Sequence, residues 1–303
     1  MEILFNKESL LHQGNSLEAP YRLKGIEEIG NFVKPNFDEN KLIELIHPPR
    51  YIHKVEQSCR YKQSLAEILT SLQTFDAAKK AASTAVYAAK SENFAAIRPP
   101  GHHASRETPA GFCLFNNIAI ATQSLLNEGK RVCILDIDGH HGDGTERIFN
   151  KDGRVLFWSI YQSPIHYTNI EFHERIMFDK THLRIGQGNA KGLIHNIPLR
   201  KGSKDKDLIY QIQRFVPIIE NFNPDYIGIS AGFDGYYKDQ LLNLAFTKQG
   251  YEEFGKMVGS LGIKTFGVLE GGYHQEVVPC IDSLVKGINS GKEASKNGRH
   301  SYL

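Results

Sequence analysis

Residues 132–145 read Val132-Cys133-Ile134-Leu135-Asp136-Ile137-Asp138-Gly139-His140-His141-Gly142-Asp143-Gly144-Thr145. The apolar run predicts a buried β-strand over Val132–Asp138, and a loop rich in Asp, His and Gly follows it directly. In open parallel sheets, ligands bind beyond the carboxyl ends of the strands. This stretch therefore predicts one strand of a parallel sheet with a functional site at its end.

Short apolar runs alternate with longer amphipathic stretches along the rest of the chain, a pattern typical of β-α units. Several runs are nearly continuous Val, Ile and Leu, as in strands that helices cover on both faces. We predict strands at Glu2–Phe5, Phe94–Ile97, Val132–Asp138, Val155–Ile160, Ile194–Pro198, Tyr226–Ala231 and Thr265–Leu269. We predict helices at Thr74–Lys90, Phe115–Glu128, Lys206–Asn221, Lys248–Leu261 and Val277–Asn289. Without repeats or linkers, this pattern predicts one α/β domain over residues 1–290 and a polar tail over residues 291–303.

The composition limits the classes of protein that the chain can belong to. Of 303 residues, 41% are hydrophobic and 23% are charged, as in ordinary globular proteins. The formal net charge of +2 argues against nucleic-acid binding by the whole molecule. The cysteines, at positions 59, 113, 133 and 280, lack the spacing of a disulfide framework, which favours a reducing compartment. With neither a signal peptide nor an apolar stretch of ~18 residues, we expect a cytoplasmic protein.

Candidate metal ligands follow two of the predicted strands. Asp138 and His140 lie two residues apart, so in extended backbone their side chains face the same way and can bind one metal ion. The segment Ser230-Ala231-Gly232-Phe233-Asp234-Gly235 supplies a further carboxylate at Asp234. Carboxylates with an imidazole suit zinc or iron(II), and three protein ligands leave a position open for water. The alternative is a Gly-rich turn, with Asp234 as a helix cap or turn former.

Tandem histidines follow a third predicted strand, in the sequence Arg98-Pro99-Pro100-Gly101-His102-His103-Ala104. They could be metal ligands, an acid–base pair or surface residues. Because the metal ligands are accounted for elsewhere, we favour acid–base chemistry. Each imidazole would then need a carboxylate to set its tautomer, and Asp136 and Asp143 are available for this.

A Gly-Gly pair precedes Tyr273 in the segment Leu269-Glu270-Gly271-Gly272-Tyr273. Paired glycines let the backbone pass close to a site, so Tyr273 could present its hydroxyl to a substrate carbonyl. The alternative is that Tyr273 is a packing residue. The segment Tyr161–Lys191 is long and rich in His, Tyr and Gly, and loops of this length are more often functional than not.

Taken together and in this order, these segments resemble the zinc-dependent histone deacetylase family, which includes bacterial acetylpolyamine and acetoin-utilisation proteins. The resemblance runs from about His12 to Tyr273 and rests mainly on Arg98–His103, Gly111–Asn117 and Asp136–Thr145. It implies an arginase/deacetylase α/β fold, with a central parallel sheet of about eight strands between helices. Residues 1–290 would then be a deacetylase catalytic domain.

The resemblance assigns roles to the candidate residues. The zinc ligands would be Asp138, His140 and Asp234. His103 would act as the general base and then as the general acid, and His102 as its electrostatic partner. Asp136 would hold the imidazole of His102, and Asp143 that of His103. Tyr273 would donate a hydrogen bond to the scissile carbonyl.

The resemblance also implies a substrate channel and structural potassium ions. A narrow channel for an acylated amine would be lined by Gly111, Phe112, Tyr167 and Leu241. Main-chain oxygens would bind potassium at two places, at Ser159 and Ile160 near Asp136, and at Phe149 and Val155.

We therefore expect a zinc-dependent amidohydrolase that removes acetyl groups from N-acetylated amines by attack of a metal-activated water, with iron(II) as another possible metal. Leu241 lies near the position where polyamine-selective relatives carry an acidic residue. Its apolar side chain favours acetyl-lysine in a peptide or protein, and acetylated polyamines are the closest alternative. Three departures from the family pattern bear on channel shape: Tyr161 in place of His, Thr168-Asn169 in place of Pro-Gly, and Gly139 in place of a bulkier residue.

Two other classes of function stay open on sequence alone. A non-catalytic protein that binds acylated amines would keep the pocket, but the presence of Tyr273 with both His102 and His103 disfavours it. An arginase-like ureohydrolase would need two metal ions and further ligands near Asp138. The tandem histidines and the Gly-Gly-Tyr segment fit deacetylation better.

Overall fold

The computed structural model describes residues 1–163 and 180–298. Eight strands form one sheet in the spatial order β2-β1-β5-β10-β9-β6-β7-β8, where these labels follow chain order. The bounds of the sheet strands are β1 Ile3–Phe5, β2 Asn31–Phe32, β5 Phe94–Ala95, β6 Val132–Asp136, β7 Val155–Gln162, β8 Ile194–Leu199, β9 Tyr226–Ala231 and β10 Lys264–Leu269. All neighbouring strands in this sheet are parallel. Strands β3 (Ser64–Leu65) and β4 (Ile68–Leu69) form a separate antiparallel hairpin.

Helices connect the strands of the sheet. The described α-helices are α1 Glu8–Leu11, α2 Ile26–Ile29, α3 Glu39–Glu44, α4 Pro49–Arg60, α5 Leu72–Ser91, α6 Asn117–Leu126, α7 Asp143–Phe149, α8 Asp205–Phe222, α9 Lys248–Ser260 and α10 Val277–Lys296. Short 3-10 helices lie at Pro20–Leu23, Lys180–Leu183 and Gly188–Ala190. Within the described residues, no helix has the length and apolar character needed to span a lipid bilayer.

The central strands send alternate side chains into two hydrophobic clusters, one on each face of the sheet. In β6, Cys133 and Leu135 belong to one cluster, while Val132 and Ile134 belong to the other. Helices α8, α9 and α10 contribute to the first cluster, and α4, α5 and α6 contribute to the second. Because both faces are covered, these strands are nearly continuous apolar runs.

The carboxyl ends of the middle strands meet at one edge of the sheet. Asp136 of β6 pairs with Ser230 of β9, and Ala231 of β9 pairs with Leu269 of β10, so the three strands end at the same level. Strand β5 lies beside β10. The segments that follow these strands therefore lie close together, and they span residues 98–103, 137–143, 232–239 and 270–273.

This architecture confirms the predicted α/β class with a central parallel sheet. The sequence prediction missed β2 and the β3–β4 hairpin, because two-residue strands show no periodicity. At the other end of the chain, α10 extends past Gly291 to Lys296, beyond the predicted start of the polar tail. A Cβ on Gly291 would lie 2.1 Å from the Lys256 carbonyl oxygen of α9. The glycine thus permits a close contact between two helices rather than ending one.

Candidate metal centre and active site

Three side chains from neighbouring strand ends form a group that could hold a metal ion: Asp138, His140 and Asp234. His140 Nδ1 lies 2.5 Å from Asp234 Oδ2 and 3.3 Å from Asp138 Oδ1. Both carboxylates are fully buried, whereas the His140 side chain is 35% exposed, so the group opens to solvent on the imidazole side. Across residues 1–163 and 180–298, no other cluster of three His, Cys, Asp or Glu side chains has this geometry.

Backbone amides orient the two carboxylates of this group. Asp138 accepts hydrogen bonds from the N–H groups of His140, at 2.8 Å, and Gly271, at 2.7 Å. Asp234 accepts one from the Gly139 N–H at 2.5 Å. Since these donors lie after β6 and β10, the ends of three adjacent strands fix the positions of the carboxylates before any ligand binds.

The charges in this group favour a bound cation. Burial lowers the pKa of the His140 imidazole, but the carboxylates of Asp234 and Asp138 outweigh it and raise the pKa to about 10. Burial, together with the charge of Asp138, raises the pKa of Asp234. Both pKa shifts have one cause: two buried negative charges lie close together, which favours a proton or another positive charge beside them. A divalent transition-metal ion would supply that charge through ligand types that such ions prefer, so the donor set fits a metal site.

The tandem histidines each face one carboxylate beside the metal group. His102 Nδ1 lies 3.1 Å from Asp136 Oδ2, and His103 Nδ1 lies 2.9 Å from Asp143 Oδ1. The His102 and His103 rings are 4.1 Å apart, and the His103 ring is 5.9 Å from that of His140. The structure thus brings together both pairs that the sequence suggested, next to the metal group.

The two imidazoles have opposite pKa shifts. Burial lowers the pKa of His102, but the charges of Asp138 and Asp136 outweigh it and raise the pKa well above its ordinary value. Burial and the positive charge of His102 lower the pKa of His103 to about 4, although Asp143 opposes this. At neutral pH, His102 is therefore a cation and His103 a neutral imidazole that can accept a proton.

A buried carboxylate that the sequence analysis left without a role, Glu270, connects the tandem histidines to the neighbouring strands. Its Oε2 accepts hydrogen bonds from the N–H groups of Gly101, at 2.6 Å, and His102, at 3.0 Å. Its Oε1 accepts one from the Ser230 hydroxyl at 2.9 Å. The only sequence signal was its place before the Gly-Gly pair, which says nothing about its partners.

Tyr273 follows Gly271, whose N–H donates to the candidate ligand Asp138, and it is 4% exposed. The guanidinium group of Arg22 lies 5.0 Å from the centre of its ring. Arg22 Nε donates to the Gly272 carbonyl at 2.6 Å, and the same side chain donates to the Glu270 carbonyl. Sequence analysis also missed Arg22, because nothing local in the sequence links the N-terminal region to the end of β10.

The histone deacetylase domain family matches residues 5–287 of this chain. The chain belongs to the histone deacetylase family. It is 38% identical over 298 residues to a probable deacetylase of Archaeoglobus fulgidus, an alignment that covers 91% of this chain and 80% of the relative. It is 37% identical over 186 residues to acetylpolyamine amidohydrolase 1 of Pseudomonas aeruginosa, covering 61% of this chain and 52% of the relative. Family membership makes the chain a hydrolase of the deacetylase type, acting on amides.

Solved structures show the same fold. The crystal structure of the HD domain of HDA15 superposes with a TM-score of 0.83 at 27% identity, covering 95% of this chain and 90% of that one. An acetylpolyamine aminohydrolase from Burkholderia pseudomallei superposes with a TM-score of 0.81 at 24% identity, covering 96% of this chain and 99% of that one. The chain therefore has the arginase/deacetylase fold of the histone deacetylase family, as the sequence resemblance implied.

Two of the predicted channel residues contact residues of the candidate site, and the channel itself stays a prediction. The Phe112 ring packs edge-on against the Tyr273 ring, with centroids 5.5 Å apart. A Cβ on Gly111 would lie 2.3 Å from Cδ2 of His103, so glycine lets this ring lie against the backbone. Leu241 is 38% exposed. Tyr167, the other predicted wall, falls outside the described residues. A cavity of about 360 Å³ adjoins the site and is lined by His103, His140, His141, Asp143, Tyr161, Gln162, Thr181 and Leu242.

The structure describes the surroundings of two of the three departures from the family pattern. A Cβ on Gly139 would lie 2.3 Å from Cδ1 of Leu242, so the Leu242 side chain occupies the space that a larger residue would need. Tyr161 packs its ring against that of His141, with centroids 5.0 Å apart. Thr168-Asn169, the third departure, lies outside the described residues.

The potassium prediction stays a prediction at both places. Ser159 of β7 pairs with Asp136 of β6, so the main chains of Asp136, Ser159 and the following Ile160 lie close together. The surroundings of Phe149 and Val155 are less favourable to a cation, because three positively charged side chains and one carboxylate line the adjacent cavity. They are Arg106, Lys151, Arg154 and Asp152.

Proposed function

We propose that this chain is a zinc-dependent deacetylase that removes acetyl groups from N-acetylated amines, with acetyl-lysine side chains of peptides or proteins as its preferred substrates. The observation that carries the proposal is the Asp138–His140–Asp234 group, which lies beside the neutral imidazole of His103 and beside the segment that leads to Tyr273. An amide bound at the metal would then have both a proton acceptor and a hydrogen-bond donor nearby.

In this proposal His103 moves the proton. Its Nδ1 faces Asp143 at 2.9 Å, which leaves Nε2 as the atom that accepts a proton from the attacking water. The same nitrogen then delivers the proton to the leaving amine. His102 is held by Asp136 and stays protonated, and its positive charge keeps His103 neutral before the reaction begins.

Tyr273 donates a hydrogen bond from its hydroxyl to the oxygen of the scissile carbonyl as negative charge develops there. Burial raises the pKa of this hydroxyl well above its ordinary value, so it keeps its proton at neutral pH. A zinc ion held by Asp138, His140 and Asp234 would act as a Lewis acid and lower the pKa of water at the site. Iron(II) accepts the same ligand types and is the alternative metal.

Two residues near the site support different substrates: Leu241 supports acetyl-lysine, and Glu67 supports acetylated polyamines. Leu241 is apolar and partly exposed in the turn that follows Asp234, which suits an uncharged peptide segment. Glu67, by contrast, is an exposed carboxylate at the tip of the β3–β4 hairpin. The adjacent carbonyl of Ala66 accepts a hydrogen bond from the Phe112 N–H at 3.0 Å, so this hairpin contacts the channel wall. Such a carboxylate would attract a cationic polyamine.

Acetate release from a panel of acetyl-lysine peptides and acetylated polyamines tests the proposal. We expect zinc-loaded wild-type protein to hydrolyse the peptides with the higher kcat/KM. Tyr273→Phe removes one donor to the developing oxyanion and should lower kcat by about 100- to 1000-fold. His103→Ala removes the proton acceptor and should abolish most of the activity. Glu67→Gln should leave kcat/KM for the peptides unchanged if acetyl-lysine is the natural substrate class.

Three outcomes would change the proposal. If polyamines are the better substrates and Glu67→Gln raises only their KM, the polyamine alternative takes precedence. If zinc-loaded wild type releases no acetate from either class but binds the acetylated compounds, the chain is a binding protein. If two metal ions per chain are needed, a ureohydrolase has to be tested. A cytoplasmic location stays a prediction.

A further inference from the structure

The turn that follows the potential metal ligand Asp234 contacts the backbone of Tyr273. Asp239 Oδ2 accepts a hydrogen bond from the Tyr273 N–H at 2.7 Å. Its other oxygen, Oδ1, accepts hydrogen bonds from the N–H groups of Leu241, at 2.7 Å, and Leu242, at 3.3 Å. One partly buried carboxylate thus joins Tyr273 to the turn that forms the apolar rim.

Gln240 binds the next peptide unit, on the other side of the Tyr273 Cα. Its Nε2 donates to the Tyr273 carbonyl oxygen at 2.6 Å. The backbone N–H and C=O of Tyr273 are therefore both bound by consecutive side chains of one turn. Arg22 binds the preceding Gly272 carbonyl from the opposite direction, so the backbone at Tyr273 is held from two sides.

We propose that Asp239 and Gln240 are positioning residues that fix the backbone of Tyr273, so that its hydroxyl stays where the scissile carbonyl oxygen binds. This inference rests on the proposed deacetylase function. A tyrosine preceded by two glycines has a backbone with few restraints of its own. Catalytic groups lose much of their effect when displaced by about 1 Å, so external hydrogen bonds are needed to hold this one in place.

The geometry predicts different effects for the two side chains. The Gln240 side chain hydrogen-bonds to Tyr273, so its loss should lower kcat and leave KM nearly unchanged. Asp239 contacts Tyr273 and the rim turn at Leu241 and Leu242, so its loss should change both constants. A hydrogen bond to a charged group contributes more than one between neutral groups, so the effect of Asp239 on kcat should be the larger.

Double-mutant cycles with Tyr273→Phe test the inference. We expect Asp239→Asn to lower kcat about tenfold and Gln240→Met about threefold in otherwise wild-type protein. If both act through the Tyr273 hydroxyl, the same changes should alter kcat less than about twofold when Tyr273→Phe is already present. Equal losses in the two backgrounds would overturn the inference. Lys238→Met serves as the control, because Lys238 lies in the same turn but donates to Glu276, at 2.5 Å, instead of Tyr273.

Hydrogen exchange at the Tyr273 amide gives a readout that does not require activity. Asp239→Asn should speed exchange in a peptide spanning residues 271–275 by about tenfold, since the N–H loses its charged acceptor. Lys238→Met should not change it, and the thermal unfolding of all variants should be measured alongside. Unchanged exchange in Asp239→Asn would overturn the positioning role whether or not the protein deacetylates. Faster exchange in a protein that releases no acetate would reject only the proposed function.

Discussion

His103 shows how single residues acquire their chemistry from their surroundings. Its imidazole would have a pKa near 6.5 in water, and burial beside the cationic His102 lowers the pKa to about 4. His103 accepts a proton only when neutral, so kcat/KM should fall as the pH drops through this pKa. His102→Ala removes the positive neighbour and should raise the pKa of His103, which moves the acid limb of the pH profile to higher pH. An acid limb that stays in place would contradict this assignment.

Gly139 and Leu242 are a second pair of single residues that depend on each other, because the Leu242 side chain fills the space that a side chain on Gly139 would need. A Cβ on Gly139 would lie 2.3 Å from Leu242 Cδ1 and 2.9 Å from Asp234 Oδ1. We expect Gly139→Ala to lower kcat/KM and metal affinity, because it displaces a candidate ligand. Leu242→Ala combined with Gly139→Ala should restore part of the loss by making room for the methyl group. If the double variant is no better than the product of the two single effects, the pair is not coupled.

Among the structural elements, the central strands were the most predictable from sequence. Strands β6, β9 and β10 are buried on both faces, so their apolar runs stand out against polar loops. Helix α5 was predicted to begin at Thr74, but it begins at Leu72. Its start is fixed by Ser71 and Thr74, whose side chains each accept a hydrogen bond from the other's backbone N–H. A helix propensity cannot locate such a boundary, whereas a capping pattern can.

The cap of α5 makes a prediction about stability. Ser71 Oγ accepts the Thr74 N–H at 3.2 Å and satisfies a donor that the helix leaves unpaired. Ser71→Ala should lower the free energy of unfolding by about 1 kcal/mol. Ser71→Gly, the matched control, should cost only a few tenths of a kcal/mol, since glycine tolerates this position well. Urea unfolding of the three proteins measures both values, and equal losses would argue against a role for the hydroxyl.

At the scale of the whole molecule, a buried ionic cluster attaches the N-terminal region to the sheet. Glu18 binds Arg98 through two hydrogen bonds, at 2.6 and 2.9 Å, and Arg22 through one at 3.0 Å. All three side chains are fully buried. Arg98 begins the segment with the tandem histidines, and Arg22 contacts the segment with Tyr273, so this cluster supports both of these segments.

Removing the carboxylate would leave two buried arginines without their partner. Glu18→Gln should therefore lower the free energy of unfolding by roughly 3–5 kcal/mol. The exposed pair of Arg50 and Glu107, at 2.6 Å, provides the control, and Glu107→Gln should change stability little. A small loss in Glu18→Gln, similar to the control, would show that the cluster contributes little.

The same cluster makes stability depend on pH. Burial would raise the pKa of Glu18, but the charge of Arg98 and its other partners outweigh it and hold the pKa well below its ordinary value. Folding thus lowers the pKa of Glu18. Its contribution to the free energy of unfolding is complete above the ordinary pKa of 4.5, and it is lost as the pH falls from 4.5 towards the lower pKa of the folded state. Wild type should lose more stability than Glu18→Gln on acidification, as urea unfolding at several pH values would measure.

Much of the site was predictable because its residues follow predicted strands in short, distinctive segments. Asp138, His140, Asp234, the tandem histidines and Tyr273 all come directly after apolar runs, and parallel strands bring such segments to one edge. The roles of Glu270, Arg22, Asp239 and Gln240 could not be predicted in this way. Their partners are distant in sequence, as Asp239 and Tyr273 are, and only the register of the folded sheet decides these contacts.

Titration of metal-free protein with zinc, followed by acetate release from an acetyl-lysine peptide, tests the central claim most directly. We expect activity to rise with zinc and to level off at about one ion per chain, as for a single catalytic centre with three protein ligands. Asp234→Asn should need far more zinc, because it weakens one of these ligands. Full zinc binding by the wild type without acetate release from peptides or polyamines would contradict the claim.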